Sequence, residues 1–360
     1  MRIAIDVSPL SHPRTGIGNY LRGMLAGLAL AAGGRHELVA FAPATPRGAA
    51  AIRSALDGIP VELALRELPV AHPVRTAWSR LGRPAVERFL GPIDVLHFSD
   101  WMYPPQRHGV RATTVYDLVP SLFPEWTTAR TREMHVRKLE HAVRTCTLLV
   151  AISEHTRGDL VERAGARVEA TAVAYPGIDP RFTPDGPAAG GAPYVLAVST
   201  LEPRKGLDDL VRAFARLRSR RPELTLAIAG AEGWGDRPPL EGEGVRLLGF
   251  VDDDELARLY RGAAALAYPS RFEGFGMPIV EALACGAPVV ANASPSLDEA
   301  AGEAAWRADA ADPEAFGAAI EAAIDGGDAR RQAGLAHAAR FTWRACGEAL
   351  LAAYAAAGRL

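Results

Sequence analysis

Short apolar runs alternate with longer segments of helical spacing along all 360 residues. Arg2–Val7, Glu37–Ala42, Val61–Leu65, Val95–Phe98, Ala112–Tyr116, Leu148–Ile152 and Ala170–Ala174 read as strands, being short and continuously apolar. Helices are predicted between them over Gly18–Ala32, Thr127–Arg144 and Ser153–Arg163. Ser153 is placed to cap the last of these, since its hydroxyl can accept a first-turn amide. Strands apolar on both faces and separated by helices imply parallel sheets covered on both sides.

The alternation stops at Tyr175–Pro193, where five prolines and four glycines exclude a central strand or a helix interior. It resumes with strands at Tyr194–Ser199, Leu224–Ala229, Val245–Leu248, Ala265–Tyr268 and Pro288–Ala291. Helices are predicted at Leu207–Arg221, Asp252–Arg261 and Met277–Cys285, and they dominate from Asp312 to Leu360. The expected organisation is α/β. A doubly wound, Rossmann-like domain spans 1–176, a hinge 177–193, a second such domain 194–341, and a last helical segment 342–360. Sheets of this kind bind ligands at their strand C-termini, here expected to face a central cleft.

Composition narrows the function classes. Forty basic against 42 acidic residues leave a net charge of −2, which argues against a dedicated nucleic-acid binder. Hydrophobic residues at 49% and charged ones at 23% are ordinary for a globular chain. Cys146, Cys285 and Cys346 are too scattered for a zinc set or a disulfide framework and fit a reducing compartment. No apolar run is long enough to span a membrane, and Gly23–Ala32 reads as part of a buried helix rather than a signal peptide.

Chemistry concentrates in Tyr268–Val290, YPSRFEGFGMPIVEALACGAPVV. A strand ends at Tyr268, a loop with Gly274 and Gly276 follows, and a helix opens near Met277 with Pro278 in its first turn. Free first-turn amides suit a phosphate or sugar oxygens. Glu273 precedes those amides, and Glu281 lies about a turn into the helix, so both carboxylates can face one cavity. The plain alternative is a strand–turn–helix corner with Glu273 capping and Glu281 solvated. Arg204-Lys205 follows a strand and precedes a helix, a place suited to a diphosphate or simply two solvated charges. Gly16 and Gly18, near Arg14 and after the first strand, allow close backbone approach. Asp252-Asp253-Asp254 could suggest a metal, but Asp252 sits where a helix cap belongs and the others where the dipole favours acids, so no metal site is assigned.

E-x7-E within SRFEGFGMPIVEALACG resembles the signature of retaining glycosyltransferases of family GT4, which have the two-Rossmann GT-B fold. Further parts agree in order: Thr15-Gly16-Ile17-Gly18-Asn19-Tyr20, the turn Ser199–Gly206, Leu248–Val251, and Phe341-Thr342-Trp343. By this resemblance Arg204 and Lys205 stabilise the departing diphosphate and Glu273 faces the transferred sugar. Glu281 accepts the ribose hydroxyls, Phe250 and Val251 line the base pocket, and Gly274, Phe275, Gly276 and Met277 present donor-binding backbone. Gly16 and Gly18 contact donor or acceptor, and the last helix crosses back to the first domain. Many relatives carry His-Asp where this chain has Tyr116-Asp117; tyrosine is no acid or base near pH 7, so only Asp117 keeps a candidate catalytic role. His97 and Asp100, with Tyr116, are candidate acceptor contacts, His97 having a buried structural role as its alternative. Pro73–Leu90 carries Arg75, Arg80, Arg83 and Arg88 beside Trp78, Leu81, Val86 and Phe89, which would let one helix rest on an anionic membrane.

The resemblance implies transfer of a hexose from a GDP- or UDP-linked donor to a glycan or lipid-linked acceptor. No cofactor or metal is implied, and a cytoplasmic location is expected, with peripheral contact at the inner face of the membrane. Patterns such as TLEPRKG resemble bacterial mannosyltransferases of polysaccharide or O-antigen assembly, which makes GDP-mannose the first donor. Another GT-B enzyme, such as a sugar-nucleotide epimerase, and a non-catalytic two-domain sugar-binding protein stay open.

Overall fold

The computed structural model describes residues 1–12, 16–99, 102–233 and 239–359. It divides into two compact units. The first comprises Met1–Tyr116, Val136–Gly177 and Thr342–Leu360, the second Asp117–His135 and Ile178–Phe341.

In the first half of the chain the strands are β1 (Arg2–Asp6), β2 (Glu37–Ala44), β3 (Glu62–Glu67), β4 (Val95–Phe98), β5 (Val110–Val115), β6 (Leu148–Ala151) and β7 (Thr171–Val173). They form one parallel sheet in the order β3-β2-β1-β4-β5-β6-β7. The helices are α1 (Gly16–Ala32), α2 (Pro46–Ala55), α3 (His72–Leu81), α4 (Glu87–Leu90), α5 (Val119–Leu122), α6 (Ala129–Thr145) and α7 (Glu154–Glu162). Strand alternation gives this sheet two buried faces. Ile3 and Ile5 join Leu25, Leu28 and Leu350 on one face. Ala4, Val39 and Phe41 join Trp78, Val86 and Leu90 on the other. That double burial is why these strands read as unbroken apolar runs.

The second half continues with β8 (Tyr194–Val198), α8 (Leu207–Arg220), β9 (Thr225–Ala229), β10 (Val245–Gly249), α9 (Asp253–Gly262), β11 (Ala265–Tyr268), α10 (Met277–Ala284), β12 (Val289–Asn292), α11 (Asp298–Ala301), β13 (Trp306–Ala308), α12 (Pro313–Ile324), α13 (Asp328–Ala338) and α14 (Trp343–Ala357). Its parallel sheet runs β10-β9-β8-β11-β12-β13. The strand order reverses between β8 and β11, which makes their C-terminal ends the topological switch point of the second unit. α14 belongs to the first unit, where Trp343 stands edge-on to Tyr20 of α1 at 5.8 Å. Both anticipated caps form: Ser153 Oγ accepts from Thr156 N at 3.0 Å, and Asp252 Oδ1 from Glu255 N at 2.9 Å.

Several details differ from the sequence reading. The segment 117–135, expected in the first domain, groups with the second unit. The expected hinge at 177–193 is largely docked on the second unit. Ile178 N donates to Phe341 O (2.9 Å), Phe182 packs on Tyr260 (5.7 Å), and Ala189 N donates to Arg258 O (2.9 Å). α2 and β13 were not anticipated; Pro46 at a helix start and the three-residue β13 give weak periodic signals. The single helix expected over Pro73–Leu90 is two, α3 and α4, because α3 ends at Gly82 in the left-handed region (φ 63°) and Pro84 follows. Arg75, expected on a solvated basic face, is only 2% exposed. No helix among the described residues is long and apolar enough to cross a membrane.

Candidate active site

The strongest cluster of chemistry gathers at the switch point of the second unit. After β8 the chain makes a short 3-10 turn, Pro203–Lys205, before α8. After β11 it makes the loop Pro269–Gly276 before α10. Gly276 has φ 103°, a conformation costly for any side-chain-bearing residue, and it lets the loop turn into α10. No side chain caps the α10 N-terminus, and Pro278 sits in its first turn. After β12, Ser294 and Ser296 close the cluster: Ser296 Oγ accepts from Glu273 N at 3.1 Å and lies 3.0 Å from Ser294 Oγ.

These turns bring Glu273, Arg204 and Lys205 together. Lys205 Nζ donates to Glu273 Oε1 at 2.5 Å, and Arg204 Nη1 to Oε2 at 3.0 Å. Tyr268 Oη and Ser270 Oγ donate to Oε1 at 2.8 and 2.7 Å. Glu273 is 8% exposed. Burial alone would favour its neutral acid, but Lys205 and Arg204 outweigh it and hold the carboxyl down at about 2. Burial likewise opposes the Arg204 charge, yet Glu273 and Glu202 hold the guanidinium above its ordinary value. Burial draws Lys205 below its usual value while Glu273 draws it back. Tyr268, buried beside Glu273, is held well above its usual value and stays a neutral donor.

Asp117 falls in the same unit. Burial raises its pKa and Arg204 pulls it part of the way back, while Oδ1 accepts from Val119 N at 3.0 Å. Glu281 lies along α10 with Oε2 accepting from Tyr260 Oη of α9 at 3.0 Å. Phe250 follows β10 and is 69% exposed, with Val251 half-buried beside it. Gly274 and Met277 flank the loop's turn into α10, but the Phe275 ring is core, 5.1 Å from Phe341, so only its backbone can meet a ligand. Asp253 and Asp254 form ion pairs with Arg181 at 3.7 and 3.1 Å while Asp252 caps α9.

The remaining candidates lie in the first unit. Gly16 and Gly18 open α1, Gly16 exposed and Gly18 buried, while Arg14 and Thr15 fall outside the described residues, as does Asp100. Tyr116 stands edge-on to Tyr20 at 5.3 Å. His97 is 3% exposed, with Nδ1 2.6 Å from Tyr354 Oη and Nε2 2.9 Å from Thr114 Oγ1. Both ring nitrogens are thus engaged, and burial pushes its pKa down to about 4. This is the buried structural histidine, not a free ligand contact, because β4 places it under α14. Sequence reasoning passed over Tyr268, Ser270, Ser296, Glu202 and Tyr260. Tyr268, Ser270 and Glu202 stand inside the motif segments, but nothing in the spacing says where their side chains point.

Residues 180–339 match the family described as "Glycosyl transferases group 1". The O-antigen chain mannosyltransferase B of Escherichia coli is 29% identical, the match covering 98% of this chain and 99% of that one. A D-inositol 3-phosphate glycosyltransferase of Actinosynnema mirum is 30% identical, covering 98% and 95%. HepE of Anabaena, solved in complex with UDP-glucose, superposes with a TM-score of 0.66 at 20% identity over 98% of each chain, a likeness of fold. Two switch-point sheets, the Glu273–Arg204–Lys205 cluster and relatives matched from end to end agree: the chain belongs to the group 1 glycosyl transferases, the GT4-type enzymes with the GT-B fold.

Proposed function

We propose that this glycosyltransferase is a retaining, metal-independent hexosyltransferase whose donor is a nucleotide sugar, with GDP-mannose as the first candidate. The observation that carries the reading is the buried Arg204–Glu273–Lys205 cluster beside the uncapped start of α10. Two fixed cations and helix amides suit a leaving diphosphate, on which charge grows as the glycosidic bond breaks. The acceptor hydroxyl would attack the same face of the sugar from which the diphosphate departs, and its proton would pass to the departing phosphate. Asp117 would orient a hydroxyl of the sugar or acceptor. The end-to-end similarity to an O-antigen mannosyltransferase supports mannose and a glycan or lipid-linked acceptor. The inositol-phosphate relative makes inositol 3-phosphate the second acceptor class to try.

Peripheral membrane contact, on the inner face, is part of the same reading. α3, α4 and the turn between them expose Val74, Leu81 and Phe89 with Arg80, Arg83 and Arg88. Cosedimentation with anionic but not neutral vesicles, weakened by salt and by Arg80→Ala with Arg83→Ala, is the expected result. For the enzyme itself, incubation with a panel of nucleotide sugars should release GDP from GDP-mannose fastest. Release from UDP-sugars alone would refute the mannose assignment, and release from none would refute the transferase reading.

A further inference from the structure

Glu202 sits in the turn after β8 and is 7% exposed. Its Oε2 accepts from Arg204 Nε at 2.8 Å and its Oε1 from Thr200 Oγ1 at 2.8 Å. Its own amide donates to Thr200 O, and its carbonyl accepts from Lys205 N, both at 3.0 Å. Gly233 walls the side chain in: a Cβ there would come within 2.4 Å of Glu202 Cγ. The carboxylate is therefore fixed at both oxygens, from both backbone directions and by steric contact.

Arg204 is held on two sides. Nε donates to Glu202, while Nη1 donates to Glu273 and to Phe272 O at 3.3 Å. Nη2 has no hydrogen-bond partner among the described residues. A guanidinium is planar and rigid, so two fixed nitrogens determine where the third points. Without Glu202, the group would be held through Nη1 alone, by Glu273 and Phe272 O, and could pivot about that one nitrogen. A second carboxylate this near a site for an anion opposes binding by charge, and buried ion pairs add little net stability. Orientation is the benefit that offsets this repulsion.

We propose that Glu202 is a positioning residue that fixes the Arg204 guanidinium so that Nη2 is offered to a donor phosphate oxygen. The second half of this rests on the nucleotide-sugar reading above; the first half does not.

The test uses the full chain with isotope-labelled arginine, the Arg204 Nε–H signal being identified by its loss in Arg204→Lys. In the wild type this proton should exchange slowly with water. Glu202→Ala should speed exchange about tenfold or more and lower kcat by about 10- to 100-fold, with a smaller effect on donor KM. Glu202→Gln, which keeps an acceptor for Nε, should lie near the wild type in both readouts. Gly233→Ala, which displaces the Glu202 side chain without removing its charge, should behave like Glu202→Ala. Inorganic pyrophosphate serves as the binding probe independent of turnover. Unchanged Nε–H exchange in Glu202→Ala overturns the proposal. So does tighter pyrophosphate binding with undiminished kcat, since Glu202 would then act only as a repelling charge. A wild type that turns over no nucleotide sugar sinks the functional reading. The exchange rates then still decide whether Glu202 fixes Arg204, and pyrophosphate binding decides whether that fixing serves an anion.

Discussion

Replacing Glu273 by Gln removes a charge while keeping the shape, and its consequence for stability can be worked out. The folded carboxyl sits at about 2 against an ordinary value of 4.5. At about 1.4 kcal/mol per pH unit, that displacement is linked to about 3 kcal/mol of stability. The folded value is depressed, so this contribution is fully present above pH 4.5 and is lost as the pH falls towards 2. By pH 3 about 2 kcal/mol of it should be gone. Acids remote from Glu273 titrate over the same range in both proteins and cancel in the difference, and Asp117→Asn in both backgrounds removes the neighbouring acid that Glu273 itself helps to raise. The stability gap between wild type and Glu273→Gln should therefore be constant from pH 7 to 5 and narrow by about 2 kcal/mol at pH 3. Hydrogen exchange of β8 and β11 amides across a denaturant series reports unfolding of the second unit specifically. A gap that does not change between pH 7 and 3 would show that Lys205 and Arg204 do not hold this carboxyl ionised, and the electrostatic account of the site would fail.

With Glu281 in the role the resemblance implies, accepting the ribose hydroxyls, Glu281→Ala should raise donor KM by roughly 10- to 150-fold with kcat little changed, because those hydroxyls keep the same charge throughout transfer; a loss confined to kcat in steady-state assays would overturn that role. In the first unit, His97 titrates at about 4 in the fold against an ordinary 6.5, so stability present above pH 6.5 should fall by about 3 kcal/mol as the pH drops to 4. His97→Gln should flatten that slope, and denaturant curves at pH 7 and 4.5 that shift equally in both proteins would contradict it. Transfer or donor hydrolysis should survive EDTA, since in the proposed reading Arg204 and Lys205, gathered at Glu273, would do for the diphosphate what a metal does elsewhere; activity abolished by EDTA and restored by Mg²⁺ or Mn²⁺ would refute this.

The alternation of apolar runs and helices was enough to read two parallel sheets, because double burial imprints itself on every strand residue. β13, three half-buried residues, left no such imprint. The grouping of 117–135 with the second unit depends on tertiary contacts such as Phe123 against Phe272 at 5.1 Å, across about 150 residues of chain that no local pattern can bridge. At the site, the sequence revealed which residues carry charge and which turns they occupy. It did not reveal that Arg204 is shared between two glutamates, nor that His97 is spent on Tyr354 and Thr114. Those pairings are decided by side-chain direction at strand ends, which neither period nor composition encodes.

The pairings also change what the basic pair can do in the proposed transfer. Counted formally, Arg204 and Lys205 bring two positive charges against the three negative charges of Glu202, Glu273 and Asp117. The cluster is thus no surplus of positive charge that would trap any diphosphate tightly. An arriving donor meets Arg204 Nη2 and otherwise cations whose charge is already shared with carboxylates, which keeps ground-state binding modest. As the bond to the sugar breaks, charge builds on the departing phosphate, and it can then compete with Glu273 for Lys205 and Arg204. Fixed, partly satisfied cations therefore favour the transition state over the bound donor, which is the differential that raises kcat rather than merely lowering KM.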